Sequence, residues 1–275
     1  MDHYSVSMAG MDQTFVWKLL LSFLVGATWV TTVTVIAERF GSKIGGFIGG
    51  LPSTVVVALI FIGLTQGNSD ASRAAVMIPL VMGVNGFFIM IYQVRIHTGL
   101  VRTILLALLV WFVIIGFVIW TGAESAFLSL LVWSLSLVLF YYLSEYVLDI
   151  GHKGGVRVPY TLKQILARGL VSGLIISTAV LISRLTGPVV GGVFANFPVI
   201  FMSTLYITYR TGGVEFSRAV AKTLMVSAMV NVGVYSFVVH FTYQHFNLFW
   251  GTAIGLLVTS ISAGLTYSFL RRQVG

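Results

Sequence analysis

Nine apolar stretches, each about as long as a bilayer is thick, follow one another along this chain with little between them. They cover roughly 15–37, 44–66, 73–94, 100–120, 124–147, 164–183, 189–209, 217–241 and 247–270. A span needs about 20 mostly apolar residues. Hydrocarbon offers the backbone no hydrogen bonds, so each stretch must form its own as a helix. Of 275 residues, 57% are apolar and 9% charged, and the mean hydropathy is +0.98. Soluble domains carry roughly 25% charged residues. The chain therefore reads as an all-α, polytopic membrane protein with nine transmembrane helices. Its net charge of +8 does not point to nucleic acid, because the bases sit between spans rather than in one patch. With no cysteine, disulfides, iron–sulfur clusters and cysteine-based zinc sites are excluded. Residues 1–12 lack the basic start of a cleaved signal and carry Asp2 and Asp12 instead.

The basic residues orient the nine spans. One side receives Arg39, Lys43, Arg95, Arg102, Lys153, Arg157, Lys163, Arg168, Arg210, Arg218, Lys222, Arg271 and Arg272. The other receives only Lys18, Arg73 and Arg184. Cytoplasmic loops carry the excess of Lys and Arg. The N-terminus is thus expected outside and the C-terminus in the cytoplasm, in a cell inner or plasma membrane.

One segment occurs twice. Gly41–Pro52 recurs 146 residues later as Gly187–Pro198, with Gly41, Gly45, Gly46 and Pro52 matched by Gly187, Gly191, Gly192 and Pro198. The same offset pairs Leu59 with Leu205, Thr65 with Thr211, Gly67 with Gly213 and Asn85 with Asn231. The first copy falls in span 2 and the second in span 7. Five crossings separate them, so the second is upside down relative to the first. This predicts a 4+1+4 inverted repeat. Residues 1–14 form an external segment, 15–120 repeat 1, 121–163 a connector span with a cytoplasmic loop, 164–270 repeat 2 and 271–275 a cytoplasmic tail.

Pro52 and Pro198 lack an N–H and cannot complete a helical ladder. Spans 2 and 7 should be kinked or broken there, facing protein or a water-filled cavity. Gly/Pro-interrupted segments at matching places in two halves mark a binding site. The candidate pathway residues are Gly46, Gly50, Pro52, Ser53, Thr54, Asn85, Gly192, Asn196, Pro198 and Asn231. A bland reading stands beside this one. Gly45/Gly49, Gly46/Gly50 and Gly191/Ala195 are small-residue pairs that let helices pack closely, and mid-membrane Asn85 and Asn231 are glue between helices. The hydroxyl rows Thr28/Thr31/Thr32 and Ser172/Ser177/Thr178 are expected to bond their own helices.

None of the eight acids falls at the centre of a span. Cation-coupled pumps place carboxylates within the membrane, so anions, neutral solutes or lipid headgroups remain. Glu145, near the cytoplasmic end of span 5, is expected to snorkel. Arg218 and Lys222 are expected to face anionic lipid or attract an anion. No phosphate-binding loop, HExxH or GxSxG motif occurs. An enzyme, a cofactor and a metal site are not expected.

The Gly-x-x-x-x-[Leu/Phe]-Pro run, at Gly46…Pro52 and again at Gly192…Pro198, resembles the GlpM-like four-span inner-membrane proteins. The resemblance implies two such units fused on one chain, and supplies architecture rather than a substrate. The layout is also similar to that of inverted-repeat drug/metabolite transporters. The expected function is a secondary transporter of a small neutral or anionic solute. Its midplane site would lie between spans 2/3 and 7/8, with membrane lipid and the solute or a lipid as partners. A passive two-fold channel and a lipid flippase or scramblase are the alternatives, and a homo-oligomer is left open. The orientation has a direct test. A cysteine at Asp12 should react with an impermeant reagent applied from outside, and one at Gly151 should not. Equal labelling of both would refute nine spans.

Overall fold

The computed structural model describes residues 12–39, 52–122, 124–151 and 161–272, all helix, turn or loop with no strand among them. The helices are α1 (Gln13–Arg39), α2 (Ser53–Gln66), α3 (Asn68–Val76), α4 (Ile78–Arg95), α5 (Leu100–Thr121), α6 (Ala126–Tyr142), α7 (Leu162–Thr186), α8 (Pro188–Ala195), α9 (Val199–His245) and α10 (Leu248–Arg272). Gly46 and Gly50, the loop 152–160 and the outermost termini lie outside the described residues.

Seven helical runs are long and apolar enough to cross a membrane, which fits a membrane protein. Three of the expected spans are not among them as separate helices. Span 2 is represented by α2, a shorter apolar helix. Spans 7 and 8 fall in one run, Pro188–His245, which is interrupted twice: at Asn196–Pro198, and at Gly213, where φ is 75° and ψ is −171°. Only glycine adopts that backbone readily. Gly67, its partner at the 146-residue offset, has φ 103° and ψ 165° and separates α2 from α3. The sequence match between Gly67 and Gly213 is thus a match of backbone shape.

Small residues set the closest helix contacts. A Cβ on Gly169 or Gly173 of α7 would meet Thr31, Ala27 or the Phe23 carbonyl of α1. Gly83 and Gly86 of α4 face Ser136 and Phe140 of α6. Apolar side chains gain little by leaving lipid for protein, so close approach and its dispersion contacts hold such bundles together. α4 is the most enclosed long helix. Its apolar window is 83% buried, against 22% for α1 and α5. It packs on α5, α6 and α9 and occupies the middle of the assembly.

The glycine geometry yields a stability prediction. Gly213→Ala places a Cβ on a backbone that costs about 1–3 kcal/mol. Gly116→Ala, in open space on regular α5, should be neutral or gain about 0.5–1 kcal/mol. Melting of the two purified variants in detergent should separate them in that order.

Candidate functional site

α8 ends at Ala195, and Asn196, Phe197 and Pro198 lie outside regular helix before α9 begins. Pro198 has no N–H to give and its ring would collide with the carbonyl four residues back. The chain tightens instead: Asn196 N donates to the Val193 carbonyl (3.1 Å) and Phe197 N to that of Phe194 (3.0 Å). The Asn196 carbonyl is met from another helix, by Asn85 Nδ2 at 3.1 Å. Asn85 Oδ1 in turn accepts from Trp111 Nε1 at 2.7 Å, and the Trp111 ring stands edge-on to Phe197, centroids 5.4 Å apart. Asn196 donates its own Nδ2 to the Gly192 carbonyl (3.2 Å). One buried amide on α4 therefore links the broken strand of helix to α5.

α2 starts immediately after Pro52, as α9 does after Pro198, and neither start has a side-chain cap. Between the two starts lies a cavity of about 50 Å³. Pro52, Ser53, Thr54, Asn85, Asn196 and Pro198 line it, with Met82, Phe197 and Phe201 among the apolar neighbours. Its walls include four pairs at the 146-residue offset: Pro52/Pro198, Thr54/Ile200, Val55/Phe201 and Met82/Ala228. A water needs about 10–15 Å³ of such space and drug-sized ligands about 300 Å³ or more. The cavity suits a few waters or one compact solute.

Two candidate residues lie elsewhere. Gly192 faces α3, where a Cβ would strike the Ala74 carbonyl; its role is close packing. Asn231 is 1% exposed, donates to Ser227 Oγ (3.3 Å) and accepts from Ser262 Oγ (2.7 Å), tying α9 to α10. Trp111, which the sequence reading missed, completes the Asn85 bridge. Its signal was position: it sits mid-span, whereas membrane tryptophans collect at the interfaces.

A second cavity, about 210 Å³, lies between the ends of α3 and α5 and the start of α8, lined by Arg73, Met77, Val118, Glu124, Pro188 and Val193. Arg73 and Glu124 pair across it at 3.0 Å, both about half exposed. Met77 and Met82, one in each wall, are five residues apart, or about 7.5 Å of helix rise.

Toward the other end the expectations for two charges are corrected. Lys222 neither faces lipid nor reaches for an anion. It is 1% exposed, bonds Glu145 at 2.8 Å and also donates to the Ile150 carbonyl. Glu145 does not simply snorkel, because a π-helical turn at Leu143–Val147 directs it to Lys222. The same turn sends Ser144 to Gln93 (2.8 Å). Nearby, Tyr92, Thr208 and Ser217 join α4 to both arms of α9 through hydroxyl contacts of 2.6 and 2.8 Å.

Residues 19–124 are similar to a family described as a protein of unknown function, DUF3147. The match spans under half of the chain and names neither a GlpM-like nor a transporter family. No curated protein and no solved structure matches.

Asn85→Leu strands two buried partners, the Trp111 N–H and the Asn196 carbonyl. Hydrogen bonds between membrane helices contribute from a few tenths to about 1.7 kcal/mol each, so a loss of about 1–3 kcal/mol is expected. Asn231→Leu strands only hydroxyls, which can turn to their own helix, and should cost less. Reversible unfolding in mixed detergent checks the order.

Proposed function

We propose that this protein is a membrane transporter, a nine-span 4+1+4 inverted repeat that carries a small solute by alternating access through the cavity between Pro52 and Pro198. The single observation that carries the reading is that cavity. It lies at two helix starts, each directly after the proline of the repeated sequence motif, and its walls include four pairs at the 146-residue offset.

Several observations support the layout. As one helix, Pro188–His245 would be about 87 Å long, nearly three times the roughly 30 Å of a hydrocarbon core. The Gly213 break divides it into two arms, as Gly67 divides α2 from α3, which supports two crossings rather than one. The bases assigned outside share one end. Lys18 donates to the Leu64 carbonyl (2.6 Å), Arg184 lies 5.9 Å from the Phe15 ring, and Arg73 pairs with Glu124. At the other end Glu215 pairs with Arg218 and His97. The stretch similar to DUF3147 starts four residues inside the proposed repeat 1 and ends four beyond it. That coincidence supports a four-span unit used twice, and the paired Gly…Pro runs keep a GlpM-like kinship in view. An inner or plasma membrane with the N-terminus outside remains the reading of the charge split.

The small cavity, about 50 Å³, favours a carrier of a compact solute over a wide open channel. The test is reconstitution in liposomes, with swelling followed in glycerol, urea and potassium salts of small anions. Saturable uptake of one class is expected. Pro52→Ala and Pro198→Ala should each lower flux per folded molecule roughly tenfold or more, about 1.4 kcal/mol of barrier per factor of ten. Intact flux with lowered melting temperatures would leave helix packing as the whole role of the motif. Dithionite-accessible lipid scrambling at rates above protein-free vesicles would favour the flippase reading instead.

A further inference from the structure

We propose that the cavity between the two helix starts is a binding site for one compact monovalent anion. The inference rests on the transport reading only for the claim that the anion is the cargo. The binding site stands on its own geometry.

Every helix leaves N–H groups unpaired at its start, and its dipole makes that end positive. α2 runs from Pro52 and the first arm of α9 from Pro198, 14 and about 14 residues long, and both starts border the same cavity. No side chain caps either of them. Two positive ends facing one small space repel each other unless something negative lies between them.

Independent of the dipoles, two side chains lack a partner. Ser53 is 7% exposed and Thr54 9%. Both line the cavity, and neither hydroxyl makes a hydrogen bond within the protein. Early in a helix such hydroxyls are free to turn outward as donors. Asn196 adds another donor, because only one of its two Nδ2 hydrogens is needed for the Gly192 carbonyl. The donors thus converge without any fixed negative charge to compete. No Asp or Glu lines the cavity among the described residues.

Size sets the class. About 50 Å³ suits a halide, nitrate or formate better than a phosphate ester or dicarboxylate. A single charge is also what two half-unit dipole ends would balance.

The test uses the full-length protein in detergent with chloride, bromide and nitrate as probes, each replacing gluconate at constant ionic strength. A saturable rise in melting temperature is expected, since a ligand that binds only the folded state stabilises it. Ser53→Ala/Thr54→Val should weaken the apparent affinity about tenfold. It should leave melting in gluconate unchanged, because these hydroxyls bond nothing in the protein. Asn231→Leu, outside the cavity, should keep the anion response. A response identical in wild type and the double variant would overturn the proposal, as would none at all. Liposome flux separates the two readings. Saturable anion binding without anion flux would leave the site standing and remove the transport role. Glycerol flux sensitive to Pro198→Ala, with no anion response, would do the reverse.

Discussion

A carbonyl freed inside a membrane has to be met by protein or by water. At Asn196 it is met by one side chain, Asn85. Much of the interior follows from that contact. Asn85 is held by Trp111, Trp111 abuts Phe197, and Phe197 precedes the proline that opened the helix. The break, the bridge and the aromatic wall form one closed circuit across α4, α5 and α8. Because α4 is buried along most of its length, the circuit is anchored to the most enclosed long helix. A half-helix can then begin at Pro198 without fraying, and its start is presented to a cavity rather than to lipid.

Much of this was legible in the sequence. Proline announces a break wherever it falls within a helix, so Pro52 and Pro198 located both helix starts. Duplication then implied that the starts belong together, and Ser53, Thr54, Asn85 and Asn196 do share one cavity. Where the reading fell short, the cause is uniform apolarity. A helix surrounded by lipid on one side and protein on the other has no polar face to give its orientation. Gly192 and Asn231 were therefore placed near the site by offset alone, while their side of the helix turns toward Ala74 and Ser262. Lys222 and Glu145 were hidden for a different reason. They are 77 residues apart in sequence, and the π-helical turn that aligns them leaves no compositional mark.

The second half does not copy the first in detail. Asn85 bridges a break, whereas its counterpart Asn231 joins two intact helices. Ser53 and Thr54 are matched by Val199 and Ile200, so the hydroxyls come from one repeat only. Backbone shape matches at Gly67 and Gly213 and at the helix starts after Pro52 and Pro198, while the polar chemistry at offset positions differs. A duplicated scaffold that keeps its glycines and prolines can specialise its side chains, so a near-symmetric frame can hold an asymmetric ligand site.

Gly67 and Gly213 carry a mechanical consequence. Each joins one helix to the next through a single residue, and one residue reaches at most about 3.6 Å. Sliding past each other by one helical turn would need 5.4 Å. The joined helices are therefore denied a ratchet and left with rotation about a pivot. Any tilt of one at its glycine hinge must swing the other, much as two rods sharing a pin turn together.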